Sequence, residues 1–551
     1  MKKFCRSIIC LLLSAMIVFS GASAAFAKSS VTPVIVVHGM GGSPLYLNPD
    51  TEDEQLLGNI DISMFFGVYN NLLKKVLSAT AGNPVDAEDL LDEIADYMKE
   101  YSALACDKNG NSVEDVKIKN YFEDNYVNHK DYLERGSKSE PALSQSICKQ
   151  IGAENVFAFN YDWRLDACEN AEKLNKFIDR VKEQTGKSKV TLVSCSEGTV
   201  VVSAYIDAHK NKNDIKKTVF VNGALYGVSA TNLLGQDILI DKDVLLDYIY
   251  NITHTLNSTD TDIELKKLSF LSYTMSDSVG NLCDLLNEII KTPSLKKKLY
   301  NEILKPVFGQ MPIMWEFIPY DGFDTAVSKM TKIGFLEKNS GLYKKIKKYH
   351  GVQGRLKSNL KELKSKGVEV AIIANYGIPS IPATSQYNNQ ADILIDTKYA
   401  SVGATVADFG DTLNAKGKYV SADRVIDASS CVLPDNTWFI KGIQHMQFLA
   451  GAEATEFVAT LATTDVKLNI SSIEKKTGVG QFIGTDAQQN IISVTETGVS
   501  SQRIVNESSS NAEGSEIKSP LTGASGATGI ALASALLTAA LATVVIRKKV
   551  K

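Results

Sequence analysis

The chain has 551 residues, 44% of them apolar and 22% charged, which is enough to bury a large core and excludes disorder over most of its length. Its 59 basic and 63 acidic residues leave a formal net charge of -4, which excludes the strongly positive field that nucleic-acid binding requires.

At the N-terminus, Lys2, Lys3 and Arg6 precede an apolar run from Ile8 to Phe19 and the small-residue site Ala25-Phe26-Ala27. A charged, then apolar, then small-residue region is the layout of a secretory signal, so residues 1–27 are expected to be removed. The run is also shorter than the ~20 apolar residues that span a bilayer. A folded domain is then expected over 28–463, followed by a polar spacer over 464–518 and a terminal segment over 519–551.

Within the domain, short β-branched runs recur at Val34 to Val37, Val156 to Phe159, Val190 to Val193, Thr218 to Val221 and Val368 to Ile373. Their apolarity is continuous rather than alternating, which predicts strands of a mostly parallel sheet covered by helices on both faces, an α/β fold. Two long inserts, at about 45–144 and 226–366, have helical patterning, as in Leu90 to Met98 and Leu285 to Ile290. Inserts of this size after core strands are expected to form a cap. The apolar segment Met311-Pro312-Ile313-Met314-Trp315 suggests that the second is a mobile lid with an apolar underside.

The first strand runs into His38-Gly39-Met40-Gly41-Gly42-Ser43, a turn whose glycines allow close backbone approach. In an acyl-transfer site this loop supplies an oxyanion donor, for which the Met40 N–H is the candidate. A phosphate-binding reading lacks the Gly-Lys-Ser/Thr ending it needs. Further along, Val190-Thr191-Leu192-Val193-Ser194-Cys195-Ser196-Glu197-Gly198 is an apolar strand meeting a small-residue turn, followed by a helical run from Thr199 to Ala208. That is the setting of a nucleophile elbow with Ser196 as nucleophile and the Glu197 N–H as second oxyanion donor. Ser194 stands where the first glycine of the motif is usual, and Glu197 brings an acidic side chain near developing negative charge.

A serine nucleophile needs a base, and the chain holds six histidines. In this fold the order is Ser, acid, His, with the base after the last strand. Only His445 occupies that place, after Thr437-Trp438-Phe439-Ile440, whereas His129, His209, His254 and His350 come too early and His38 belongs to the glycine loop. The acid belongs between the strand ending near Ala374 and His445, where Asp392, Asp396, Asp408, Asp411 and Asp427 are all eligible by order.

Past the spacer, Ser519-Pro520-Leu521-Thr522-Gly523 precedes the uncharged stretch from Gly529 to Ile546 and the basic tail Arg547, Lys548, Lys549. The stretch is long enough to span a membrane with a positive-inside flank. The arrangement resembles the wall-sorting signals of Gram-positive surface proteins, which implies a sortase cutting between Thr522 and Gly523 and joining the chain to peptidoglycan. A plain transmembrane anchor is the alternative. Six cysteines remain after removal of the signal, too few for a dense disulfide framework in so long a chain, and the scattered His and Cys predict no metal site. No cofactor is expected.

With these residues in place, the chain resembles the lecithin:cholesterol acyltransferase family of α/β-hydrolases, which includes bacterial lipases and phospholipases. The resemblance rests on Pro33 to Val37 with the glycine turn, Tyr161-Asp162-Trp163-Arg164-Leu165, Ser196 in its elbow, and Gly442-Ile443-Gln444-His445. It implies that Asp392, opening Asp392-Ile393-Leu394-Ile395, is the acid, with Asp396 second, and that Trp163 lies near a substrate entrance. The glycine often found beside that aspartate is absent. Asp162 and Arg164 are expected to pin their loop by hydrogen bonds. The expected function is a secreted, surface-anchored serine hydrolase of lipid-like esters. An O-acyltransferase and a non-catalytic surface-binding module are the alternatives.

Overall fold

The structure is a computed structural model, and it describes residues 31–57, 87–119, 125–128, 139–235, 241–255, 276–380, 388–445, 452–486, 490–496 and 498–503. Its centre is a nine-stranded sheet. In chain order the strands are β1 (Val34–Val37), β2 (Val156–Phe159), β3 (Val190–Cys195), β4 (Ile215–Val221), β5 (Glu369–Tyr376), β6 (Thr437–Lys441), β7 (Phe482–Thr485), β8 (Ile491–Thr495) and β9 (Gly498–Arg503). They lie in the order β9-β8-β7-β6-β5-β4-β3-β1-β2. All pairings from β2 to β7 are parallel, and β8 and β9 pair antiparallel at the edge.

Among the described residues, five long helices cover the sheet: α1 (Ser139–Ile151), α2 (Ala167–Thr185), α3 (Gly198–His209), α4 (Gly341–Ser365) and α5 (Ala452–Thr463). The pleat divides each strand between two cores. Ile35 and Val37 join the apolar cluster of α2, α3 and α4, while Val34 and Val36 join that of α1 and α5. Two-sided burial is why these strands read as unbroken apolar runs, each fully buried Val or Ile being worth about 1.5–3 kcal/mol. The helix ends are specified locally. Asp166 caps α2 by accepting from Glu169 N–H at 2.8 Å, and Gly186 ends it at φ 63°. Ser340 caps α4 by accepting from Tyr343 N–H at 3.1 Å.

The first insert is not wholly helical. Besides the helix Ala87–Met98 it holds a three-stranded antiparallel sheet of Leu45–Leu47, Gln55–Leu57 and Val116–Ile118. Arg164, fully buried, locks this insert to the core. It pairs with Asp162 at 2.7 Å and donates to the Leu104 carbonyl and to Ser112 Oγ, each at 3.0 Å.

Two boundary expectations need correction. The second insert does not run to 366, because α4 is a sheet-covering helix: Leu342, Ile346, Tyr349, Val352, Leu356, Leu360 and Leu363 form one buried stripe that docks it in the core. The segment Met311 to Trp315, expected as an apolar underside, is buried against the same core. It forms the short helix Pro312–Glu316, wholly buried, with Trp315 Nε1 donating to the Gly309 carbonyl at 2.9 Å.

The second concerns the spacer, whose expected start at 464 lies inside the domain. Helix Ile470–Thr477 and strands β7, β8 and β9 extend the sheet to residue 503. Lys217 Nζ, buried on β4, donates to the Thr464 carbonyl at 2.6 Å, and Leu468 N–H donates to Glu369 at 2.9 Å. These last strands bury few apolar residues, among them Ile483, Ile491 and Ile492, so the segment looks polar while remaining paired. Residues 1–27, the rest of the spacer from 504 to 518, and the sorting segment with Thr522 and Gly523 lie outside the described residues. Among the described residues no helix is long and apolar enough to cross a membrane, and Cys106, Cys148, Cys168, Cys195, Cys283 and Cys431 are all free thiols.

Candidate active site

Strand β3 ends at Cys195 and α3 begins at Gly198, leaving Ser196 and Glu197 to make the turn. Ser196 adopts φ 50°, a left-handed conformation that costs a non-glycine residue about 1–2 kcal/mol. The turn is held by Ser196 N–H donating to the Val221 carbonyl of β4 at 3.1 Å and by Thr199 Oγ1 donating to the Ser196 carbonyl at 2.7 Å. Gly198 allows no side chain: a Cβ there would lie 2.3 Å from the Val37 carbonyl oxygen and 2.5 Å from that of His38. The second glycine of the elbow is therefore a steric requirement of packing α3 against the end of β1. Ser194 fills the first glycine position fully buried, so a hydroxymethyl group is tolerated there.

His445 stands in the loop after β6, past Gly442 at φ 88°. Its Nε2 is 3.0 Å from Ser196 Oγ, and its Nδ1 is 2.6 Å from Asp392 Oδ2. The His445 N–H also donates to the Asp392 carbonyl at 2.8 Å, so backbone and side chain tie the two loops together. Asp392 is fully buried, and its Oδ1 accepts the N–H groups of Leu394 at 3.0 Å and Ile395 at 2.7 Å. That tight turn puts Ile393 at φ 84°, where glycine would sit without strain. The Nδ1–H tautomer toward Asp392 leaves Nε2 with a lone pair facing the serine hydroxyl, an arrangement that can take its proton.

Asp396 is equally buried but differently engaged. Its carboxylate accepts from Ser229 N–H at 2.9 Å, Ser229 Oγ at 2.8 Å and Asn389 Nδ2 at 2.7 Å. Burial pushes its acidity down, with those hydrogen bonds opposing. Asp427 caps a short turn through Ser429 N–H. Of the five aspartates eligible by order, Asp392 is the one hydrogen-bonded to the imidazole.

The glycine loop lies directly against the elbow: a Cβ on Gly39 would fall 3.0 Å from Ser196 Cβ and 3.4 Å from its Oγ. Gly42 N–H donates to the Gly39 carbonyl at 3.1 Å, turning the chain so that Met40 sits at the apex. The Met40 N–H finds no hydrogen-bond partner among the described residues. His38 braces the loop from behind. Its Nδ1 donates to the Gly39 carbonyl at 2.7 Å, its Nε2 accepts from Ser43 Oγ at 2.5 Å, and its ring stacks on Tyr161 at 4.5 Å. Tyr161 OH in turn donates to the His38 carbonyl at 2.8 Å. Burial lowers the His38 pKa to about 4, outweighing the Gly39 bond that raises it, so the ring is neutral.

Glu197 is buried at the start of α3. Its charge adds to that of Asp166 in raising the pKa of Glu316, for which burial is the largest cause. Glu316 accepts from Ala167 N–H at the start of α2 at 3.1 Å. Trp163 is 3% exposed and packed in the core, so the ring expected near a substrate entrance contributes packing there. The two aspects of this site that the sequence concealed are His38 as brace of the glycine loop and Asn222 at the end of β4. Asn222 Nδ2 donates to Asp392 Oδ2 and lies 3.3 Å from His445 Nδ1. A Val-Asn-Gly turn after a strand was the available signal, but it points to a turn and not to an aspartate 170 positions away.

Residues 142–234 match the family model described as lecithin:cholesterol acyltransferase. The matched part contains Trp163, Ser196 and Glu197 and stops before Asp392 and His445. The chain matches no curated protein. Among solved structures it is similar to a chain of "The crystal structure of Tle4-Tli4 complex", at 10% identity and TM-score 0.29, over 79% of this chain and 98% of that one. The sheet order and the strand-turn-helix elbow describe an α/β-hydrolase fold, and the family match spans that elbow.

Proposed function

We propose that this protein is a serine hydrolase of lipid-like esters, working through a covalent acyl-enzyme. The observation that carries this reading is the unbroken relay from Ser196 Oγ to His445 Nε2 at 3.0 Å and from His445 Nδ1 to Asp392 at 2.6 Å. Ser196 attacks the ester carbonyl as His445 takes its proton, and the resulting imidazolium is stabilised by Asp392. The N–H groups of Met40 and Glu197 hold the oxygen that becomes negative. Collapse of the adduct breaks the ester C–O bond, and His445 returns the proton to the departing alcohol. Water, deprotonated by the same imidazole, then releases the acid and restores Ser196.

The partial family match supports a lipid ester as substrate. The same match favours a second reading, in which an alcohol replaces water in the last step and a new ester leaves. Location outside the cell is supported by the signal-like residues 1–27, and wall attachment through sortase and peptidoglycan by Thr522 and Gly523 in the C-terminal segment.

Purified protein should be incubated with phospholipid, with and without an added sterol or diacylglycerol, and with p-nitrophenyl esters of increasing chain length. Free fatty acid that depends on Ser196 is the expected product. New ester in the presence of the alcohol would favour transfer, and no turnover of any ester would remove the proposal.

A further inference from the structure

We infer that Asn222 is a positioning residue of the site, holding the Asp392 carboxylate against His445, and that position 222 can itself carry the carboxylate. The inference rests on the triad reading above. Asn222 follows β4 directly and is buried, with φ 46°, a conformation asparagine adopts more readily than most residues.

Both ends of its side chain are fixed. Oδ1 accepts the Asn375 N–H of β5 at 3.1 Å, a contact that requires an oxygen and so assigns the amide orientation. Nδ2 is thereby turned to Asp392 Oδ2, the oxygen that also receives His445 Nδ1. The Asn222 N–H donates to the Ile373 carbonyl at 2.8 Å, anchoring the residue to β5. Asp392 thus has four donors: two backbone N–H groups on Oδ1, and the imidazole and the Asn222 amide on Oδ2. Four donors match the acceptor capacity of a carboxylate, and the described contacts include no Lys or Arg partner for it. Losing the Asn222 donor frees Oδ2 to rotate, and the imidazole it aligns turns with it.

The geometry also permits an exchange. Asn222 Nδ2 is 3.3 Å from His445 Nδ1, so a carboxylate oxygen at that point is within reach of the imidazole N–H after a small ring rotation. In the paired variant Asp392→Asn, Asn222→Asp, an oxygen at 392 still accepts from Leu394 and Ile395, and an oxygen at 222 still accepts from Asn375. The new amide at 392 donates to the new carboxylate at 222. The site keeps one carboxylate and one amide, with their places reversed.

The test measures kcat and KM on p-nitrophenyl butyrate, and the rate of fluorophosphonate labelling, for wild type, Asn222→Ala, Asp392→Asn and the exchanged pair, with thermal melting of each. Asn222→Ala is expected to lower kcat roughly tenfold or more with KM within about twofold of wild type. The exchanged pair is expected to be at least about tenfold faster than Asp392→Asn alone, a rescue that a merely structural asparagine would not give. If Asn222→Ala keeps wild-type kcat, or if a folded exchanged pair is no faster than Asp392→Asn, the role of Asn222 is overturned while the triad stands. If wild type is inert to both probes, the triad reading falls and this inference with it.

Discussion

Asp392 and Asp396 are four positions apart and both fully buried, yet only Asp392 meets the imidazole. Asp396 gives its oxygens to Ser229 and Asn389, joining the segment after β4 to the one after β5. The two therefore separate on substitution. Asp392→Asn is expected to cut kcat on the order of a thousandfold or more. Asp396→Asn should leave kcat within about threefold and cost roughly 1–3 kcal/mol of stability, since a buried donor loses its charged acceptor. Urea unfolding alongside ester kinetics measures both.

His38 supplies a pH dependence at the same scale. Its folded pKa is about 4, against 6.5 for the free side chain, because burial disfavours the charged form. Below pH 6.5 the unfolded chain takes up a proton that the folded chain refuses until pH falls to about 4. Stability is therefore complete above pH 6.5 and falls by about 3 kcal/mol on the way to pH 4, at about 1.4 kcal/mol per pH unit. In His38→Gln this loss should be absent, and the difference between the two proteins' urea midpoints should change sharply between pH 7 and pH 4. Parallel curves would show that His38 is not the group responsible.

At the scale of elements, the site is the meeting of one helix start with the ends of β1, β3, β4, β5 and β6. Gly198 sets the distance at which α3 meets β1, because the nearest atoms to an added Cβ are backbone oxygens that cannot swing aside. Gly198→Ala should cost about 3 kcal/mol and slow fluorophosphonate labelling, because the separation it forces moves Ser196 away from the glycine loop. An unchanged melting temperature and labelling rate would contradict this packing. The elbow was legible in the sequence because its physics is local: an apolar strand, small residues at the turn, a helical run behind. His445 was legible by chain order. Asp392 was not separable by order from four other aspartates, since what distinguishes it is a pair of backbone N–H groups and an asparagine from a distant strand.

For the whole molecule, the sheet continues well past the point where the sequence turns polar. Strand β7 holds two large apolar residues, Phe482 and Ile483, and β8 buries only Ile491 and Ile492 before turning polar, which is why composition alone read them as spacer. A chain ending at 503 should melt like the full-length protein. One ending at 463 strips β7 from β6 and removes the Lys217 and Glu369 contacts. It should melt at least about 10 °C lower or fail to remain soluble. Equal melting of both truncations would return residues 464–503 to the status of a tether.

The convergence of Ser196, His445 and Asp392 from widely separated parts of the chain is the point on which the function turns. Its most direct measurement is mass-spectrometric mapping of the adduct left by a fluorophosphonate on the folded protein. A single adduct on Ser196, lost in His445→Ala although Ser196 is still present, is the expected result. A wild type that remains unlabelled, or that carries its adduct on another residue, would contradict it.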